Sequence, residues 1–252
     1  WLERNSIIKG LEMEKELFLK SLSLFLSQWL VHIDHTLKQE VIGKHIQNRA
    51  DVLYELFCCR FHPLEKDLNK YNVLRAQWKP DDWIEMLALA YIHSIVKTNF
   101  FLPVPAKCFR FDSHFQKALP DRLRKSSFQQ IPFGLFYVMH ENYFGFHIRF
   151  QDVARGGLRT VFVKKRHNAI LLECYELAWT QEKKNKDIAE GGAKCVLFVD
   201  MPDNLIHETS SEHRNVLIYE AQKGYVQGLL SVVNTSDDGV LREKAIVDYY
   251  NK

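Results

Sequence analysis

Much that would narrow a 252-residue chain at once is missing here. The five cysteines, Cys58, Cys59, Cys108, Cys174 and Cys195, are odd in number and none stands in a C-x-x-C pair, which reads as a reduced, intracellular protein rather than a disulfide scaffold. Neither sign of charge dominates: 34 basic residues are mixed with 31 acidic ones for a net charge of +3, which gives no broad basic surface for nucleic acid. The longest apolar stretch, Leu17 to Ile33, is interrupted by Lys20, Gln28 and several serines. It is too polar to read as a membrane span, and no secretory signal pattern precedes it. The H-E-x-x-H, G-x-S-x-G and P-loop motifs are absent, as are the G-x-G-x-x-G dinucleotide fingerprint, internal repeats and low-complexity segments. What remains, 46% hydrophobic with 13% aromatic, is the composition of a globular protein long enough to bury a core. The chain opens on Trp1 without an initiator methionine and stops at Lys252 in mid-pattern, and it is expected to be a fragment.

The first hundred residues read as helices. Leu17, Leu24, Trp29 and Ile33 recur near helical spacing within Leu11 to about Leu37; a second pattern runs from about Asn48 to Phe61 and ends at His62-Pro63. A third follows Asp81-Asp82, with Trp83, Met86, Leu87 and Tyr91 on one side. After Asn99 the texture changes. Cys108–Phe111, Phe133 to Met139 and Tyr143 to Phe150 are strand-like runs, the last two joined by a turn at His140-Glu-Asn142. Phe144, Phe146, Ile148 and Phe150 alternate with Gly145, His147 and Arg149, as in a half-buried strand. Asn168 to Lys183 reads as helix, Cys195 to Val199 as a short strand after a loop ending in Gly191-Gly192, and Ser210-Ser-Glu opens another helix before a turn at 235–239. The expected fold class is α/β: a mostly helical region over 1–98, then over 99–252 a mixed sheet flanked by helices.

Two segments carry the chemistry. Asp152-Val-Ala-Arg-Gly-Gly-Leu-Arg159 and Gln181-Glu-Lys-Lys-Asn-Lys-Asp-Ile-Ala-Glu-Gly-Gly-Ala-Lys194 each join a glycine pair to cations suited to carboxylate or phosphate. Arg155, Lys184 and Lys194 are expected to meet in one cleft, where neighbouring positive charge suits a lysine to acid–base work. An ordinary surface lysine or a structural ion-pair network is the bland reading of the same residues. A single Arg-Gly-Gly at a strand end is too little for an RNA-binding arginine-glycine element, and Lys164-Lys165-Arg166 reads as a solvated face. His32 and His35 lie three apart on a helix, but without a third ligand they read as surface histidines. Cys58-Cys59 reads as buried helix.

Lys97-Thr-Asn-Phe-Phe101, Cys108-Phe-Arg-Phe-Asp112, Phe144 to Arg159 and Thr180 to Lys194 together resemble the large NAD-specific glutamate dehydrogenases, the long-chain form, most specifically over about residues 93 to 200. The resemblance implies a substrate-binding domain of that enzyme, incomplete here, acting on L-glutamate and 2-oxoglutarate with NAD as cofactor. NAD would be held by a domain outside this chain. It implies Lys194 as the catalytic lysine, Arg155 at the substrate carboxylate, and Gln181 and Lys184 on the substrate, with Lys186 a rival for the last role. Gly156, Gly157, Gly191 and Gly192 would shape the pocket. No cofactor residue, metal, nucleic acid or membrane partner is implied within the chain. A homo-oligomer in the cytoplasm, or in the mitochondrion of a eukaryote, is implied for the full-length protein. Ala189 replaces the family's usual proline and Cys195 the glycine after the lysine. A side chain at 195 could crowd the pocket, which leaves a non-catalytic dicarboxylate-binding regulatory module as the alternative.

Overall fold

The structure, a computed structural model, describes residues 2–31, 37–124, 128–162, 164–184, 188–206 and 212–233. His32, Asp34, His35, Lys186 and the expected turn at 235–239 lie outside them. The described residues form two compact units. One holds those up to Ser94 with those of His114–Ser127; the other holds Ile95–Ser113 and those from Phe128 onward.

The first unit is helical: α1 (Leu2–Leu30), α2 (Gln39–Ile46), α3 (Ala50–Phe61), α4 (Leu68–Gln77) and α5 (Trp83–Ser94), with single 3-10 turns between and after them. From Ser21 to Leu30 every residue of α1 is buried, so the stretch that mixes serines with large apolar residues is a core helix enclosed on all sides. Its hydroxyls stay satisfied by bonding back into their own helix, Ser21 to the Phe18 carbonyl and Ser27 to that of Leu24, both at 2.7 Å. Phe18 stacks on Phe57 of α3 at 4.5 Å between ring centres and Phe25 meets Tyr91 of α5 at 4.9 Å. Helix α5 starts where expected because the Asp82 carboxylate accepts from the Ile84 and Glu85 N–H groups at 2.8 and 2.9 Å. Helix α3 stops at His62, held extended before Pro63. Cys58 and Cys59 are buried in α3, as read. Helices α2 and α4 escaped the sequence reading; α2 is only two turns long, and α4 buries Tyr71 alone and so has no apolar stripe. No helix among the described residues is long and apolar enough to cross a membrane.

The second unit is the expected mixed sheet with helices against it. Its elements are β1 (Ile95–Thr98), β2 (Lys107–Phe111), β3 (Gly134–Met139), β4 (Tyr143–Arg149), β5 (Ala154–Arg155), β6 (Leu158–Val161), α6 (Ile170–Glu182), β7 (Gly191–Val199), α7 (Asp203–Ile206) and α8 (Glu212–Val233). Strands run in the order β1-β2-β3-β4-β7, each pair antiparallel, and β5 and β6 both pair parallel with the outer edge of β7. The β3–β4 turn closes as read, with the His140 N–H on the Tyr143 carbonyl at 2.8 Å.

Strand β4 is not half-buried. Every residue from Tyr143 to Ile148 is buried, because α6 covers one face of the sheet and α8 the other. Phe150, on the same side as Phe146 and Ile148, packs against Tyr175 and Trp179 of α6. On the opposite side Gly145 lies under the Tyr225 ring of α8. A polar residue in alternation suggested an exposed face, but His147 is only 9% exposed.

Candidate substrate site at the start of β7

Strand β7 begins with the second glycine pair, and its outer edge carries the first. Ala154 and Arg155 lie opposite Gly191 and Gly192; after the Gly156-Gly157 interruption, pairing resumes with Leu158 opposite Cys195. Side chains two apart on a strand share a face, so Arg155, in register with Gly192, and Lys194 both belong to the α6 side of the sheet, about 7 Å apart along it. The topology thus brings these two predicted cations to one edge. The glycines permit it. A Cβ at Gly156 would sit 1.8 Å from the Ala193 carbonyl oxygen, and one at Gly192 would sit 2.1 Å from the Glu182 nitrogen of α6, so backbone occupies the space a side chain would need. A Cβ at Gly157 would lie 3.9 Å from the Lys194 Nζ, so this glycine leaves open the space beside the amine.

Arg155 is 16% exposed and its donors face protein. Its Nη1 donates to the Glu190 carbonyl at 2.7 Å and the Gly191 carbonyl at 3.5 Å; its Nη2 donates to the carbonyls of Gln181 at 3.0 Å and Lys184 at 3.2 Å. Nε lies 3.5 Å from the Glu190 carboxylate. Gln181 and Lys184 are therefore both near Arg155 through their backbones, while the Lys184 side chain is exposed at the end of α6. Glu182, which the sequence reading passed over, accepts from the Gly192 N–H at 2.5 Å and from Gln151 at 3.0 Å. No spacing rule marks an acid in the last turn of a helix as a partner of a glycine ten residues on.

Cys195 turns the other way. Strand alternation sends its thiol to the α8 face, 3.1 Å from the His147 Nδ1 directly across in β4, so it does not share the side of the sheet where Lys194 lies. Burial lowers the His147 imidazole to about 4, with the Arg149 charge pushing the same way and a hydrogen bond to the Lys194 backbone opposing. Burial raises the Cys195 thiol to about 11, against a Tyr225 hydrogen bond and the charges of Lys194 and Arg149. Both groups are neutral at physiological pH, and one hydrogen bond joins them. Cys174, whose thiol donates to the Phe146 and Lys194 carbonyls at 3.3 Å, is likewise pushed far up by burial, so neither cysteine beside the site is a thiolate.

No group of three or more potential metal ligands occurs among the described residues. A dinucleotide does not fit here either. Gly156 and Gly192 are packed against backbone, and the Gly192 N–H already meets a carboxylate, so neither pair offers the bare N–H cradle a pyrophosphate needs.

The family model described as the catalytic domain of bacterial NAD-glutamate dehydrogenase matches residues 71–252, and so takes in the whole site. The chain belongs to the NAD-glutamate dehydrogenase family. Relatives in this family include the NAD-specific glutamate dehydrogenase of Saccharomyces cerevisiae, 34% identical over 152 residues that make up 56% of this chain and 13% of the yeast protein. Glutamate dehydrogenase 2 of Dictyostelium discoideum is 33% identical over 179 residues, 68% of this chain and 15% of that protein. The NAD-specific enzyme of Neurospora crassa is 34% identical over 167 residues, 64% and 14% respectively. The chain thus spans only about one seventh of the length of these glutamate dehydrogenases. The family match reaches back to Tyr71 in α4, earlier than the motifs near residue 93 that first carried the resemblance.

Proposed function

We propose that this chain is the substrate-side part of an NAD-dependent glutamate dehydrogenase, in which L-glutamate and water give 2-oxoglutarate and ammonium as hydride passes to NAD. The observation that carries it is the placing of Lys194 and Arg155 on one face at the start of β7, within a family match that covers both. Lys194 is the catalytic residue. Its amine lies beside Gly157, and there it takes a proton from the water that attacks the iminium carbon and returns one to the departing amine. Gln181 and Lys184, at the end of α6, hold the substrate, and Gly156, Gly157, Gly191 and Gly192 let the walls of the pocket close. Arg155 belongs to the same site, but with its donors turned to carbonyls it is not assigned a direct contact with a substrate carboxylate.

The substrate-binding domain is assigned to the sheet-bearing unit that begins at Ile95. Nucleotide binding is assigned to other parts of the protein, which works as a homo-oligomer in the cytoplasm or, in a eukaryote, the mitochondrion. A non-catalytic regulatory module loses the support that Cys195 lent it, since that side chain lies on the far face of β7. The test is steady-state kinetics of the full-length protein: Lys194→Ala should cut kcat by roughly 10²- to 10⁴-fold while glutamate binding changes little. Near-normal turnover in that variant removes Lys194 from the mechanism.

A further inference from the structure

Arg155 links three elements: β5, the end of α6 and the start of β7. It projects from β5, a two-residue strand, and its partners are the final carbonyls of α6 and the first carbonyls of β7. A guanidinium has five N–H donors. Two face the carbonyls of Gln181 and Lys184 at the C-terminal end of α6, where a positive charge meets the negative end of the helix dipole. Two face Glu190 and Gly191, and the fifth, on Nε, is buried 3.5 Å from the Glu190 carboxylate without a hydrogen bond to it. The loop between α6 and β7 is thereby tied at both ends by one side chain. Glu182 adds a second tie, from the last turn of α6 to the Gly192 N–H. With four donors turned to backbone carbonyls and Nε buried, the cation beside the site presents no free pair of donors to a bidentate carboxylate.

We infer that Arg155 is a positioning residue: it closes the α6–β7 loop, fixing where Lys184 leaves the helix relative to Lys194 on the strand, and does not bind the substrate carboxylate. This rests on the proposed dehydrogenase reading for what the loop positions, though not for the clamp itself. A lysine at 155 would keep the charge but could not reach both sets of carbonyls with one ammonium group. A misplacement of reacting groups by about 1 Å can cost about 100-fold in rate, so the signature is a fall in kcat rather than a rise in KM.

The first measurement is hydrogen–deuterium exchange on the full-length protein with Arg155→Lys. Amides of Lys183, Lys184 and 188–191 should exchange about tenfold faster or more, with β3 and β4 unchanged; unchanged exchange at those amides overturns the clamp. The second is kinetic: kcat for glutamate oxidation should fall by about 10- to 100-fold with KM within about threefold, whereas a KM raised tenfold at constant kcat would return Arg155 to the substrate carboxylate. Should Arg155→Lys fail to fold, nitrogen NMR of the wild-type chain without substrate decides instead. Restricted rotation, seen as separate and slowly exchanging Nη signals for Arg155, supports the clamp, and a single averaged signal overturns it. If the wild-type enzyme shows no glutamate-dependent NADH formation, the dehydrogenase reading fails while the exchange result still judges the clamp.

Discussion

Acid should loosen the second unit through one buried ring. His147 is 9% exposed, and burial beside Arg149 lowers its imidazole to about 4 from an ordinary value near 6.5. Between those two values the unfolded chain takes up a proton that the folded chain refuses, so stability rises with pH across that window and is lost as the pH falls through it. The full difference is worth about 3 kcal/mol, of which about 2 kcal/mol should disappear between pH 7 and pH 5. His147→Asn removes the titration while a side-chain amide can donate to or accept from the Cys195 thiol. Native-state hydrogen exchange of β4 and β7 amides, corrected for intrinsic rates, measures the opening free energy of both proteins at each pH. The wild type should lose about 2 kcal/mol more than the variant on going from pH 7 to pH 5. Equal losses, or a larger loss in the variant, would refute the burial argument, as would a ring titrating near 6.5 by NMR.

Gly192→Ala should destabilise the second unit by about 3 kcal/mol or more, since the added Cβ meets helix backbone at 2.1 Å on one element and cannot shift the strand without breaking the Arg155 and Glu182 ties; urea denaturation checks it. Gly224→Ala puts a Cβ 2.1 Å from the hydroxyl of the buried Tyr143, whose ring must shift in the core, so the gain in helix propensity should be outweighed and the same measurement should show a cost of about 1–3 kcal/mol. Cys195→Ser should leave kcat within about twofold, because the changed group lies across the strand from Lys194; a large loss would mean that the thiol reaches the substrate side. The 252-residue chain alone should produce no NADH from glutamate and NAD, having no dinucleotide fingerprint, and steady production would refute that expectation.

The fold was legible where a local pattern decides it. Asp82 announces α5, Pro63 ends α3, and the alternation of Phe144 to Phe150 marks β4, each through chemistry confined to a few residues. The misses come from longer range. His147 looked solvent-facing because burial on both sides of β4 depends on α8, some seventy residues later, which no window along the strand contains. Strands β5 and β6 are too short to carry a period and exist because β7 offers them an edge. For the site, the motifs named Arg155 and Lys194, and sheet register puts them on one face. The direction in which a guanidinium donates is a matter of which carbonyls stand near it, and Gln181, Lys184, Glu190 and Gly191 come together only after the loop has closed.

The position of β7 has a consequence for how the chain is made. Strands β4 and β6 follow one another closely in sequence yet are not neighbours in the sheet; β7 separates them. A growing chain that has emerged as far as Val161 leaves the β7-side edge of β4 unpaired, and β5 and β6 without a strand to join, until α6 has been made and β7 arrives. At ordinary elongation rates that interval lasts seconds, long enough for edge-to-edge association of nascent chains. A stall or nonsense codon between 162 and 190 should yield an aggregating product that engages chaperones, whereas one shortly after Val199 leaves the β4 edge paired.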